Sequence, residues 1–153
     1  VSDDAALALS SSPLVAAGHR YWLSKHRDGR LPGRDALDPM EMRQFLSNVA
    51  LVDVQPDPLD FRYRLIGTAI TKHLFRDYTS TWMSEIDHQK PGSTIFENCR
   101  EVVKTQKPLF NATPYVGPDR EFLTHQEIIA PLIDASDNVA MLFVVIEFIR
   151  LAA

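Results

Sequence analysis

The chain has 153 residues, 45% hydrophobic and 24% charged, with a net charge of −4. That is the length of one domain, enough to bury a single core without disulfides. The acidic balance offers no complementary surface to nucleic acid or an anionic membrane, and no run approaches the ~18 apolar residues of a membrane-spanning helix. Cys99 is the only cysteine, which excludes an intramolecular disulfide or a cysteine metal cluster within one chain. A cytoplasmic location is expected on that basis. The N-terminus has no basic n-region and carries Asp3 and Asp4, against a signal peptide.

In chain order, residues 1–12 read as a flexible acidic and serine-rich lead. Pro13 suits the first position of a helix whose Leu14, Ala17, Gly18, Tyr21, Trp22 and Lys25 make an amphipathic stripe. Asp28-Gly29 stops it, and its local basic charge from Arg20 to Arg34 reads as a solvated helix end. Asp38-Pro39 opens a short second helix to Leu46. Residues 13–47 are therefore a helical lead-in, and residues 48–150 the main domain.

That domain begins with a hairpin. Val49 to Val54 is β-branched and apolar, broken by Asp53; Gln55 to Asp60 turns; Phe61, Tyr63 and Leu65 alternate with Arg62 and Arg64. Gly67-Thr68 ends the second strand, with Thr68 the expected cap of a helix to Arg76. Gly67 is expected to need positive φ or to meet backbone closely. Ser93 to Gln106 is the strongest later helix, with Ile95, Phe96, Cys99, Val102 and Val103 on one face. Three strands follow at Leu109 to Tyr115, Glu121 to Leu132 and Val139 to Arg150. Val116-Gly117-Pro118-Asp119 forms one connecting loop and Asp134 to Asn138 the other. The last strand is apolar on both faces and so must be covered on both.

The lead-in LPGR…DP with Leu31, Pro32, Arg34, Asp38 and Pro39, the run Phe61-Arg62-Tyr63-Arg64-Leu65-Ile66-Gly67-Thr68, and Pro131-Leu132 together carry a family likeness. The chain resembles the PAS domain superfamily, and within it a group of small stand-alone bacterial proteins. The resemblance implies an α+β fold: a five-stranded antiparallel sheet in the order 2-1-5-4-3, short helices on one face, and here an added N-terminal amphipathic helix. It implies a non-catalytic sensory or regulatory module with a small-molecule or partner site between helices and sheet. A homodimer contact and a downstream signalling protein are expected as partners.

The residues expected to line a ligand pocket are Tyr63, Leu65, His73, Leu74, Trp82, Phe96, Cys99, Phe110, His125, Met141 and Phe143. At such spacing these also serve as plain core. Leu14, Tyr21 and Trp22 are the expected dimer contact, through the N-terminal helix. His125 and Glu127, two apart on a strand, point the same way and could form a polar site; a structural ion pair or a partly solvated face is the commoner origin of such a pattern.

Other chemistry finds little support. His19, His26, His73, His88 and His125 include no i, i+4 metal pair, so no metal is expected. The helix 93–106 has no histidine for haem. Asn98-Cys99-Arg100 matches the motif of flavin photosensors, but Glu101-Val102-Val103 follows where they have Phe-Leu-Gln, so Cys99 reads as a buried core residue and no cofactor is expected. No nucleophile elbow, phosphate loop or His-Glu-x-x-His is present. The competing readings are a small α+β-cone enzyme of the isomerase or dehydratase type, which the hairpin-then-helices order disfavours, and an interaction adaptor with a filled core. No kinase, cyclase or DNA-binding segment is read in the chain, so output is expected through a partner protein or an attached domain.

Overall fold

The computed structural model describes residues 12–118 and 122–150. The expected flexible lead at residues 1–11, Asp119 of the loop and Glu121 at the strand start lie outside the described residues. Ser12 does not belong to a frayed end. It is buried, its Oγ accepts from Val15 N at 3.1 Å, and it caps helix α1 (Pro13–Ser24). Pro13, lacking an N–H, sits where no intrahelical bond would be made.

The lead-in continues in 3-10 turns at Arg34–Ala36, Pro39–Met42 and Leu46–Asn48. The helix expected from Pro39 to Leu46 is thus two tight turns, the first capped by Asp38, whose carboxylate accepts from Met40 N. Strands β1 (Val49–Pro56) and β2 (Leu59–Ile66) form the hairpin. Helix α2 is a single turn, Thr68–Thr71, shorter than the sequence suggested, and Gly67 occupies its N-cap. The backbone explains Gly67: its φ is −62°, and a Cβ there would sit 2.2 Å from the Ser47 carbonyl oxygen. Close approach, not positive φ, is what excludes a side chain.

Two 3-10 turns, Met83–Glu85 and Asp87–Gln89, lead to α3 (Thr94–Thr105). Ser93 Oγ caps α3 by accepting from Phe96 N, and Gln106 ends it in the left-handed region at φ 58°. Strands β3 (Leu109–Pro114), β4 (Phe122–Ile133) and β5 (Val139–Arg150) complete one antiparallel sheet in the order β2-β1-β5-β4-β3. The order and the antiparallel pairings are those the sequence resemblance implied.

β5 lies in the centre, paired to β1 and β4, which is why it is apolar on both sides. Leu142, Val144, Ile146 and Phe148 face the short helices with Phe61, Phe96 and Val102. Met141, Phe143 and Val145 face the other way, where α1 lays Val15 and Trp22 over the sheet beside Phe45 and Ile128. The Trp22 indole N–H donates to Pro131 O at 3.0 Å. A Cβ on Gly18 would lie 2.5 Å from Val145 Cγ2, so the missing side chain lets the helix come down onto the strand. The free edge of β2 is protected by residues 80–81: Ser80 N donates to Tyr63 O and Thr81 O accepts from Tyr63 N.

Candidate functional site

The inner sheet face and the short helices do not close on each other. Between them lies a cavity of about 260 Å³, near the lower end of small-molecule sites. Ala50 of β1, Tyr63 and Ile66 of β2 and Ile146 and Phe148 of β5 form its floor; Ile70, Leu74 and Ile95 form the helical wall; Tyr115 and Val116 form a rim after β3. His88, Gln89, Thr94 and His125 add polar groups. A second void of about 20 Å³ adjoins it, sharing Ala50, Tyr63, Ile95 and Ile146 and reaching Cys99 and Glu127.

Gln89, Tyr115 and His125 each have a definite polar partner. Gln89, 5% exposed, accepts from the Tyr63 hydroxyl at 2.6 Å through Oε1. The Tyr115 hydroxyl donates to His73 O at 2.5 Å, fixing the rim to the segment after α2. His125 and Glu127 both turn inward from β4. The His125 ring nitrogen Nε2 lies 3.6 Å from Glu127 Oε1, and Asn111 of β3 donates to the same oxygen at 2.9 Å.

Glu127 is 2% exposed. Burial pushes its carboxyl upward, but the His125 hydrogen bond and charge, with Asn111, more than offset this and hold it below the ordinary carboxylate value. The counterpart holds for His125. Burial favours the neutral ring, and Glu127 overrides it by hydrogen bond and charge, keeping His125 above the usual imidazole value. Each group therefore favours the charged form of the other, and the two make one buried pair beside the cavity. His88 behaves oppositely: burial lowers it, and Asp87 only partly compensates. Burial, then the Glu127 charge, raises the Cys99 thiol well above its ordinary value, so Cys99 is a packed thiol and not a thiolate nucleophile.

Of the eleven residues expected to line a pocket, Tyr63, Leu74 and His125 line the cavity, and Cys99 lines the smaller void. His73 backs the rim, its ring 4.9 Å from Phe148, and Phe96 lies behind in the same core against Phe61. Five belong elsewhere. Phe110, Met141 and Phe143 have the opposite strand phase and pack beneath α1. Leu65 is 41% exposed because β1 and β2 slip by one residue: Leu51 pairs with Leu65, but Val52 pairs with Tyr63. That bulge leaves Arg64 unmatched and turns Ile66 inward in place of Leu65. Trp82 lies outside the cavity, over the Arg62 guanidinium at 5.3 Å. In α1, Trp22 is 2% exposed and engaged within its own chain, while Leu14 and Tyr21 are half-buried, Tyr21 donating to Glu41 at 2.9 Å.

The sequence reading missed Ile66, Ile70, His88, Gln89, Ile95, Tyr115, Ile146 and Phe148. For Ile146 and Phe148 a usable signal existed, since pairing β4 with β5 in register places them opposite Glu127 and His125.

A sequence family described as PAS domain matches residues 10–146. The chain belongs to the PAS domain family. No curated protein matches its sequence. Among solved structures, a sensory box sensor histidine kinase from Vibrio cholerae is similar in fold, with a TM-score of 0.52 at 9% identity, covering 74% of this chain and 92% of that one. PAS domains are generally sensory or regulatory and non-catalytic, and they commonly mediate dimerisation and signalling. This chain is a sensory or regulatory domain in that general sense. Among the described residues no helix is long and apolar enough to cross a membrane, and no group of three or more His, Cys, Asp or Glu is arranged to hold a metal.

Proposed function

We propose that this PAS domain is a non-catalytic sensor that binds a small organic ligand in the cavity between α2, α3 and the inner sheet face. The observation that carries the reading is the cavity itself: about 260 Å³, mostly apolar walls, and a few converging polar groups. At ~30 Å³ for each water-sized portion, it suits a ligand of about ten non-hydrogen atoms.

A route from ligand to output runs through β5. Ile146 and Phe148 line the cavity, while their neighbour Val145 touches Gly18 of α1 on the far side. Ordering the inner residues would shift how α1 sits, and two packings of α1 would be the element a ligand biases. A homodimer through the outer surface of α1, where Leu14 and Tyr21 are half-buried and Leu23 is 48% exposed, would pass that shift to a downstream signalling protein in the cytoplasm. Sedimentation of Leu23→Glu and Tyr21→Glu tests the dimer: an unchanged monomer–dimer balance in both removes it.

The ligand reading is tested by native mass spectrometry of the chain offered a fragment library. Fragments of about ten non-hydrogen atoms are expected to add one per chain, and an Ala50→Phe variant, which fills the cavity, should bind none. Equal binding by the folded Ala50→Phe variant overturns the cavity as the site and favours an adaptor with a filled core.

A further inference from the structure

We infer that the cavity takes a small apolar carboxylic acid, its carboxylate received by His125 Nδ1, with Glu127 and Asn111 holding the ring in place. This rests on the reading of the cavity as a ligand site and names the ligand class.

Glu127 Oε1 lies on the Nε2 side of His125, so Nε2 carries a proton toward the carboxylate and Nδ1 is the nitrogen left for an occupant. A ring that also holds a proton on Nδ1 presents a charged donor there, which pairs best with an anionic acceptor. The upward shift of His125 by Glu127 agrees with that state.

The other polar wall has the same polarity. Gln89 uses its carbonyl oxygen to accept from Tyr63, so its amide N–H₂ is the polar end that remains, another donor. Opposite these donors the walls are aliphatic and aromatic: Ile66, Ile70, Ile95 and Phe148. A carboxylate at one end of a compact hydrocarbon or aryl body complements both parts.

Other titratable groups facing this region do not compete for the charge. On the short-helix side, His88 is lowered by burial and Cys99 of α3 is raised well above its ordinary value by burial and then Glu127. Tyr63 of β2 is likewise raised well above its ordinary value, by burial first and then by the charges of Cys99 and Glu127. Asn111 of β3 and Phe148 of β5 bring no charge, and no Lys or Arg is among the described lining residues. Nearby His73 lies with its ring against Phe148. His125 is thus the cation that an anionic headgroup meets, and binding must weaken as that ring loses its proton.

Isothermal titration calorimetry of the whole chain tests this with aryl and alkyl carboxylates of about eight to twelve non-hydrogen atoms, each set against its primary amide. Phenylacetate and phenylacetamide are one such pair. At about pH 6, where His125 is protonated, acids should bind at least about tenfold tighter than amides. Above the folded-state pKa of His125 their affinity should fall by up to about tenfold per pH unit, the slope of one linked proton. His125→Gln should lose both the preference and the slope. Glu127→Gln should move the break in the profile to lower pH, and it serves alone if His125→Gln does not fold. Amides binding as well as acids, or an acid affinity flat with pH, overturns the carboxylate inference while leaving the cavity as a ligand site. Failure of every acid and every amide to bind overturns both.

Discussion

The two faces of the sheet share the same five strands and solve opposite problems. On the outer face α1 is drawn into contact: Gly18 yields its side-chain space to Val145, Trp22 reaches the Pro131 carbonyl, and Phe143 and Ile128 are fully buried. On the inner face the three-turn α3 packs over β3 and β4, while the one-turn α2 and the 3-10 turns that cover the rest are too short to lay down a continuous ridge, and a cavity beside the His125–Glu127 pair remains. A long amphipathic helix can fill every groove of a strand surface; a series of short turns cannot. Both faces bury a hydrophobic core, and the space available to a ligand lies on the inner one.

Truncation should show the contrast most strongly. Trp22→Ala removes a buried indole and its hydrogen bond, and should cost about 4 kcal/mol. Leu74→Ala, at the half-open wall of the cavity, should cost less than about 1.5 kcal/mol. Denaturant unfolding of both variants checks the difference, and equal losses would erase it.

Enlargement comes next. Gly18→Val forces a branched side chain against Val145 and should lose about 2 kcal/mol or more. Ala50→Leu extends into open cavity and should stay within about 1 kcal/mol of the parent. Gly67→Val, facing the Ser47 carbonyl, should lose about 2 kcal/mol or more for a reason local to the backbone. A loss below about 0.5 kcal/mol there would remove the close-approach explanation.

The fold was legible because its cues are local or family-wide. Pro13 opens its helix and Asp38-Pro39 a capped turn as expected, and the Phe61 to Thr68 run marks the hairpin of a PAS sheet. The cavity was legible only in part, because its residues depend on strand phase. Met141 and Phe143 were expected inside, yet β5 is apolar at every position from Val139 to Ile146, so its sequence carries no period that distinguishes one face from the other. Leu65 was expected inside by simple alternation, which the bulge at Arg64 breaks. His88, Gln89 and Tyr115 enter the site from turns and a rim, where no periodicity operates. His125 and Glu127 stood out because a carboxylate among apolar neighbours needs a partner.

The buried pair gives the smallest stability effect and a defined pH window. Glu127 sits below its ordinary value of 4.5, so its pairing stabilises the fold above that value and is lost as pH falls through the lower folded one. His125 sits above 6.5, so its share is present below that value and is lost as pH rises through the higher folded one. The pair contributes most between the two. Glu127→Gln should cost about 1 kcal/mol there and flatten the profile; a wild-type stability that does not decline on either side would contradict the pairing.

The most direct test of an open inner face against a closed outer one is an amide NMR titration of the chain with a small aryl carboxylate such as phenylacetate. The account predicts shifts centred on Ile66, Ile70, His125, Ile146 and Phe148, with smaller ones at Val145 and Gly18 where β5 meets α1. Shifts centred on α1 and the residues beneath it, with the inner face silent, would contradict it.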